Sequence, residues 1–189
     1  MRIFITDTEE VLDESLEVVL QDLQSRFEDE DISFSEADIA SGASVMAVLA
    51  EYKDTLYVGI PIALFFAGKK IEENLDAWGR ILERCMKLFK RIKTATERTS
   101  VTVDNRTAAI IALDEVLRCA ESSGYRLMNI SGINGFHQEV VNCSDAPVNE
   151  REVSYFLYYM CIFEINDYRY YEVIVDSSGD IVRSDYIGN

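Results

Sequence analysis

Residues 71–93 read IEENLDAWGRILERCMKLFKRIK, and the fold turns on how that run is read. Ile71, Leu75, Trp78, Leu82, Cys85, Phe89 and Ile92 recur at alternating spacings of four and three. That is the one-sided stripe of an amphipathic helix, held over three heptads and widened by Ile81 and Leu88. Glu72, Glu73 and Asp76 stand near its start, and Lys87, Lys90, Arg91 and Lys93 near its end. Acidic residues first and basic residues last is the order that complements the helix dipole. The spacing predicts a long helix over about 70–93.

Immediately before it, TLYVGIPIALFFAGKK (55–70) holds about thirteen apolar or small residues, too few to span a bilayer. Pro61 suits the opening of a short helix and Gly68 a bend. A core segment under the long helix, with its apolar faces buried all round, is the expectation. Contact with a membrane surface or a second subunit is the alternative for this segment.

Outward on both sides the pattern is mixed. RIFIT (2–6) has the content of a strand, Thr6 and Glu9 form a capping box, and Leu12, Leu16, Val19, Leu23 and Phe27 mark a helical stripe. EDED (28–31) ends it, and DISFSEA (31–37) reads as a second strand. SGASVMAVLA (41–50) is apolar and small, without a clear period. SVTV (100–103) begins a second such unit, with Asp104 or Asn105 as cap and Ile110, Leu113, Leu117 and Ala120 as the inner face of its helix. Gly124 is placed for a left-handed helix end, and YRLMNISGI (125–133) for the returning strand. From residue 155, three strand-like runs separated by turns at Asn166–Asp167 and Ser177–Gly179 predict an antiparallel meander. The polar stretch 142–152 reads as a loop.

The expected fold is therefore α+β: two β-α-β-like units, the long helix at about 70–93 and a C-terminal antiparallel β-meander. The 189 residues, 48% hydrophobic and 28% charged, suit one domain. Within it, 1–98 is the more helical part and 99–189 the more strand-rich.

Net charge is −16 and unevenly spread. Residues 1–68 carry 3 basic and 15 acidic side chains, residues 69–98 carry 9 and 5, and residues 99–189 carry 6 and 14. Half of all Lys and Arg thus sits in a basic island of thirty residues, within a chain that repels nucleic acid as a whole.

Specific chemistries are hard to assemble. Cys85, Cys119, Cys143 and Cys161 are nowhere closer than 18 residues, so zinc-ligand spacing is absent and reduced core thiols are expected. His137 is the sole histidine, which excludes multi-histidine metal sites and histidine pairs. Asp7 and Asp104 each end a strand before a helix, where a phosphotransfer nucleophile sits, but helix capping accounts for both. DSSGD (176–180) resembles the opening of a calcium loop, yet its glycine is fourth and Ile187 stands where a bidentate Glu is needed. A hairpin turn is the better reading. Neither phosphate-loop motif is present. No catalytic residue, cofactor or metal is expected.

RIFITDTEE, SGASVMAVLA and AWGRILERCMKLFKRIK before SVTVD together resemble the layout of small effector-associated components of bacterial conflict systems. The likeness covers about half the chain, stops short of the meander and carries no functional residue across. It implies a regulatory or adaptor role.

The expected function is a non-enzymatic cytoplasmic protein that binds another protein of basic or mixed charge, as an adaptor or immunity-type factor with an acidic surface. A start lacking a cationic, apolar secretory signal is the basis for expecting the cytoplasm. Tyr158, Tyr168, Tyr170, Lys87, Lys90 and Arg91 are the candidate interaction surface, and the 71–92 helix is a candidate homodimer contact. Two alternatives stand beside this: a peripheral membrane protein using 56–67 and the basic island at 69–98, and a carboxylate-dependent enzyme.

Overall fold

A computed structural model describes residues 2–7, 16–29, 32–38, 46–52, 60–72, 75–95, 99–134, 137–140, 157–166 and 168–188. The first half runs β1 (Arg2–Asp7), α1 (Leu16–Arg26), β2 (Ile32–Asp38), β3 (Met46–Tyr52), α2 (Ile60–Phe66), α3 (Leu75–Ala95) and β4 (Thr99–Val103). Its four strands form one antiparallel sheet in the order β2-β3-β1-β4. β1 and β2 run parallel with β3 inserted between them, Phe4 opposite Leu49 and Phe34 opposite Ala50. That is the split β-α-β arrangement of ferredoxin-like sheets.

β3 lies in the stretch whose period the sequence does not reveal. Ala47 and Ala50 are poor strand formers, but neighbours pair with β3 on both sides, and tertiary context overrides propensity.

The second half runs α4 (Asn105–Cys119), β5 (Tyr125–Asn134), β6 (His137–Val140), β7 (Tyr158–Ile165), β8 (Arg169–Asp176) and β9 (Ile181–Ile187). Its strands form a five-stranded antiparallel sheet, β6-β5-β7-β8-β9, containing the expected meander. Along β8, Tyr171, Val173 and Val175 are buried, while Tyr170, Glu172 and Ile174 face outward. The second β-α-β-like unit is thus present in sequence but divided in space: β4 belongs to one sheet and β5 to the other.

α4 is the central helix. Asp104 caps it, its Oδ1 accepting from Thr107 N at 2.7 Å. Thr107 through Leu113 are buried without a break, because α4 packs against strands of both sheets and against α3. The single inner face expected for it is too narrow; Ala108, Ala109 and Ala112 let neighbours close in on every side. Gly124 does not end this helix in a left-handed conformation, since α4 stops at Cys119 and Ala120 is extended. Gly124 instead lies against the Lys70 side chain, whose flexible end would have to move to admit a Cβ there.

The long helix starts later than its stripe. Ile71 is buried, but its backbone pairs with Tyr125 (N–O distances 2.7 and 3.0 Å), and the helix begins at Leu75. Leu82, Cys85, Leu88, Phe89 and Ile92 are buried within this chain, so its own core takes up the stripe. The short helix α2 forms as Pro61 suggests, and Gly68 (φ +72°) ends it through Gly68 N to Phe65 O at 3.0 Å. Its faces are not all buried, however. Phe65 stacks on Phe163 and meets Trp78 edge-on, whereas Leu64 is 41% exposed, because a seven-residue helix on the rim offers only one side to the core.

The two sheets are joined at the β8–β9 turn. Asp176 Oδ1 accepts from Ser178 N and Asp180 N, both at 2.9 Å, and Gly179 has φ +81°. This is the hairpin turn expected for DSSGD. Ser177 O accepts from Val103 N at 2.9 Å, and the fully buried Tyr159 donates its hydroxyl to Val103 O at 2.9 Å. Lys93 reaches over from α3 to Asp180 Oδ1 at 2.7 Å.

Candidate interaction groove

The basic half of the predicted surface gathers in one place. Lys87, Lys90, Arg91, Thr94 and Ala95 on α3 and Arg26 and Phe27 at the end of α1 line a groove of about 480 Å³ that opens to solvent. Its wall is mostly carbon. Phe27 is buried against Phe34 with ring centroids 5.5 Å apart, and the Arg91 guanidinium lies 5.2 Å from the Phe27 centroid. The remaining carbon comes from Ala95, Thr94 and the stems of the lysines, with charged heads at the rim.

Local chemistry explains the layout. Periodicity turns Leu88, Phe89 and Ile92 inward, leaving Lys87, Lys90 and Arg91 outside. Those three stand at i, i+3 and i+4, a spacing at which like charges destabilise a helix by about 0.2–0.5 kcal/mol per pair. Arg26 is paired with Asp22 at 2.8 Å. Among the described residues, Lys87 and Lys90 make no ion pair. Lys93, by contrast, is committed to the β8–β9 turn, and its hydrogen bond holds the Asp180 carboxyl below the usual carboxylate range. Lys70 is drawn to Glu72 at 2.6 Å.

The aromatic half does not join this groove. Tyr158 and Tyr170 lie on the outer face of the five-stranded sheet, toward opposite ends of the β7–β8 pair, opposite Asp176 and Glu164 respectively. Six strand positions separate those ends, about 20 Å. Tyr168 sits in the β7–β8 turn at the Tyr170 end, 87% exposed with φ +86°. Met160, Ile162 and Ile174 lie between the two tyrosines, half-buried, and the Arg126–Glu164 pair borders them.

The Asp104 carboxylate is occupied as a helix cap. Asp7 closes β1 opposite Thr99. Cys143 and the loop 142–152 lie outside the described residues. Cys85 and Cys161 are buried, and burial raises the Cys85 thiol. Cys119 is exposed; its hydrogen bond to Glu115 (3.2 Å) raises it. Among the described residues, no cluster of His, Cys, Asp and Glu is arranged to hold a metal ion, and no helix is long and apolar enough to cross a membrane.

Sequence reading missed Arg26 and Phe27. The only available signal was the position of Phe27 at the end of the first helical stripe, directly after a basic residue. In comparisons with known proteins, no family model, curated protein or solved structure matches this chain.

Proposed function

We propose that this chain is a non-enzymatic, protein-binding regulatory protein of the adaptor or immunity type, working in the cytoplasm and holding a mixed-charge partner through the basic groove. One observation carries the reading. In a chain of net charge −16, four cations from two helices converge on a carbon-lined groove, and two of them make no ion pair among the described residues. Such a site attracts an acidic surface at long range and retains it by desolvation at short range, with marked salt dependence.

The test is affinity capture at low ionic strength using the wild type and the Lys87→Glu/Lys90→Glu double variant. One stoichiometric protein should be retained by the wild type, released as salt rises past about 0.15 M, where the Debye length falls to about 8 Å, and absent from the variant. A partner held equally well by both proteins would move binding to another surface. Capture of no partner would remove the reading's support.

A further inference from the structure

We infer that the groove takes a short acidic segment carrying one large apolar side chain, with the apolar group on the carbon wall and flanking carboxylates on the rim cations. This rests on the groove being the docking surface and goes on to name its occupant. Three observations select that class.

The first is the division of the lining. The cations are at the ends of long side chains, while the exposed wall between them is carbon from Thr94, Ala95 and the lysine stems, with Phe27 behind Arg91. A volume of about 480 Å³ lies within the usual range for small ligand sites, roughly 300–1,000 Å³. A purely charged ligand would leave that wall wet; a purely apolar one would leave the cations unused.

The second is the direction of the helices. Arg26 ends α1, and Thr94 and Ala95 end α3, so both helices bring their C-terminal ends to the groove. Helix C-termini present carbonyls and partial negative charge. Bare phosphate is bound at the opposite end, by the N–H groups of helix N-termini. An anion here must stay at the rim, on flexible side chains, while the interior receives carbon.

The third is charge and aromatic access. Nucleic acid binding by base stacking needs exposed rings, but Phe27 is 4% exposed and covered by Arg91. The net charge of −16 opposes a polyanion many nucleotides long, whereas a few carboxylates match a few cations.

The experiment reads fluorescence anisotropy of the full chain with four probes. These are a dye-labelled peptide of Asp and Glu around a central Phe, the same peptide with Ser for Phe, a dye-labelled single-stranded DNA, and phosphatidylserine vesicles. The Phe peptide should bind, and the Ser peptide should bind at least about tenfold more weakly, the loss of a buried aromatic anchor. Lys87→Glu/Lys90→Glu should weaken the Phe peptide by tenfold or more. Thr94→Trp, which fills the groove from an exposed position, should weaken it similarly without altering the fold. Arg80→Glu/Arg84→Glu, an equal charge change earlier on α3, should have less than a twofold effect. Equal binding of both peptides, or preferential binding of DNA or vesicles, overturns the inference. If no peptide binds while the double variant still loses its captured protein, the occupant named here is wrong but the docking surface stands. If neither the captured protein nor the peptide responds to the groove variants, both readings fall.

Discussion

Replacing Gly179 by alanine tests the junction that joins the two halves of the fold. Gly179 has φ +81°, a left-handed conformation that costs an L side chain about 1–2 kcal/mol. An added Cβ would also fall inside contact distance of the Phe89 ring edge and 3.1 Å from Ile111 Cδ1. Neither neighbour is a loose surface chain: Phe89 is 3% and Ile111 1% exposed. Forcing extra volume into such a site costs about 1–3 kcal/mol. Gly179→Ala should therefore destabilise by about 2–5 kcal/mol, a fall of about 5–15 °C in Tm for a chain of this size.

Gly68→Ala is the control. Gly68 has φ +72°, but its nearest neighbour is Leu127 O at 3.9 Å, so only the backbone cost of about 1–2 kcal/mol applies. Urea unfolding of the three proteins, at a common m-value, separates the terms. Phe89→Leu then gives the steric part directly. Alone it is a modest core change, and in its presence the penalty of Gly179→Ala should shrink toward that of Gly68→Ala, a coupling of about 1–3 kcal/mol. A Gly179→Ala cost within about 0.5 kcal/mol of the Gly68→Ala cost would refute the claim that the turn is wedged between α3 and α4.

Further outcomes follow from the same junction and from the outer sheet face. Because the Lys93 hydrogen bond holds Asp180 below the usual carboxylate range, the unfolded chain binds this proton first. The pair's contribution is therefore present above the ordinary aspartate range, near pH 4, and is lost as the pH falls below it. The Asp180 side chain is 67% exposed, which limits the effect to about 0.2–1 kcal/mol, and Asp180→Asn should remove that part of the acid dependence of Tm. Tyr159→Phe leaves the Val103 carbonyl without that hydroxyl in a fully buried setting and should cost about 1–3 kcal/mol in urea unfolding. Arg126→Met leaves the buried Glu164 carboxylate without its partner and should cost about 1–3 kcal/mol, while Arg126→Met combined with Glu164→Ala should recover much of it. A double variant no more stable than Arg126→Met would contradict the pairing.

Periodicity carries its information along one element at a time, and the sequence reading succeeds and fails accordingly. Strands β7–β9 alternate between a buried and an outward face, and the stripe of α3 is strictly one-sided, so both are legible. α4 is legible only in part: its cap at Asp104 and the stripe of Ile110, Leu113, Leu117 and Ala120 mark it, but its first half, Thr107 to Leu113, is enclosed by two sheets and α3 and has no polar face to show how fully it is buried. Ile71 obeys the α3 stripe by position while its backbone belongs to a bridge with Tyr125, a partner 54 residues away that no local pattern reveals. For the groove, the α3 cations are visible as a charge excess, but Arg26 and Phe27 join them only through packing of α1 beside α3.

Helix dipoles alone do not account for the basic groove. A cation is favoured at a helix C-terminus, but the effect falls off within the last turn. On α3 that turn begins near Ile92, and Lys93 is its basic residue, already engaged with Asp180. Lys87 lies two turns from the helix end, and beside Lys90 and Arg91 it adds repulsion at i+3 and i+4. Acidic neighbours relieve part of that repulsion: Asp22 pairs with Arg26, and Glu83 stands four residues before Lys87. The repulsion among Lys87, Lys90 and Arg91 costs the isolated protein a few tenths of a kcal/mol per pair, and the Arg91 contact with the Phe27 ring offsets part of it. An acidic ligand reverses the sign of those terms by placing a carboxylate between the cations, and for that reason the double charge reversal at Lys87 and Lys90 should change binding while leaving Tm essentially unaltered.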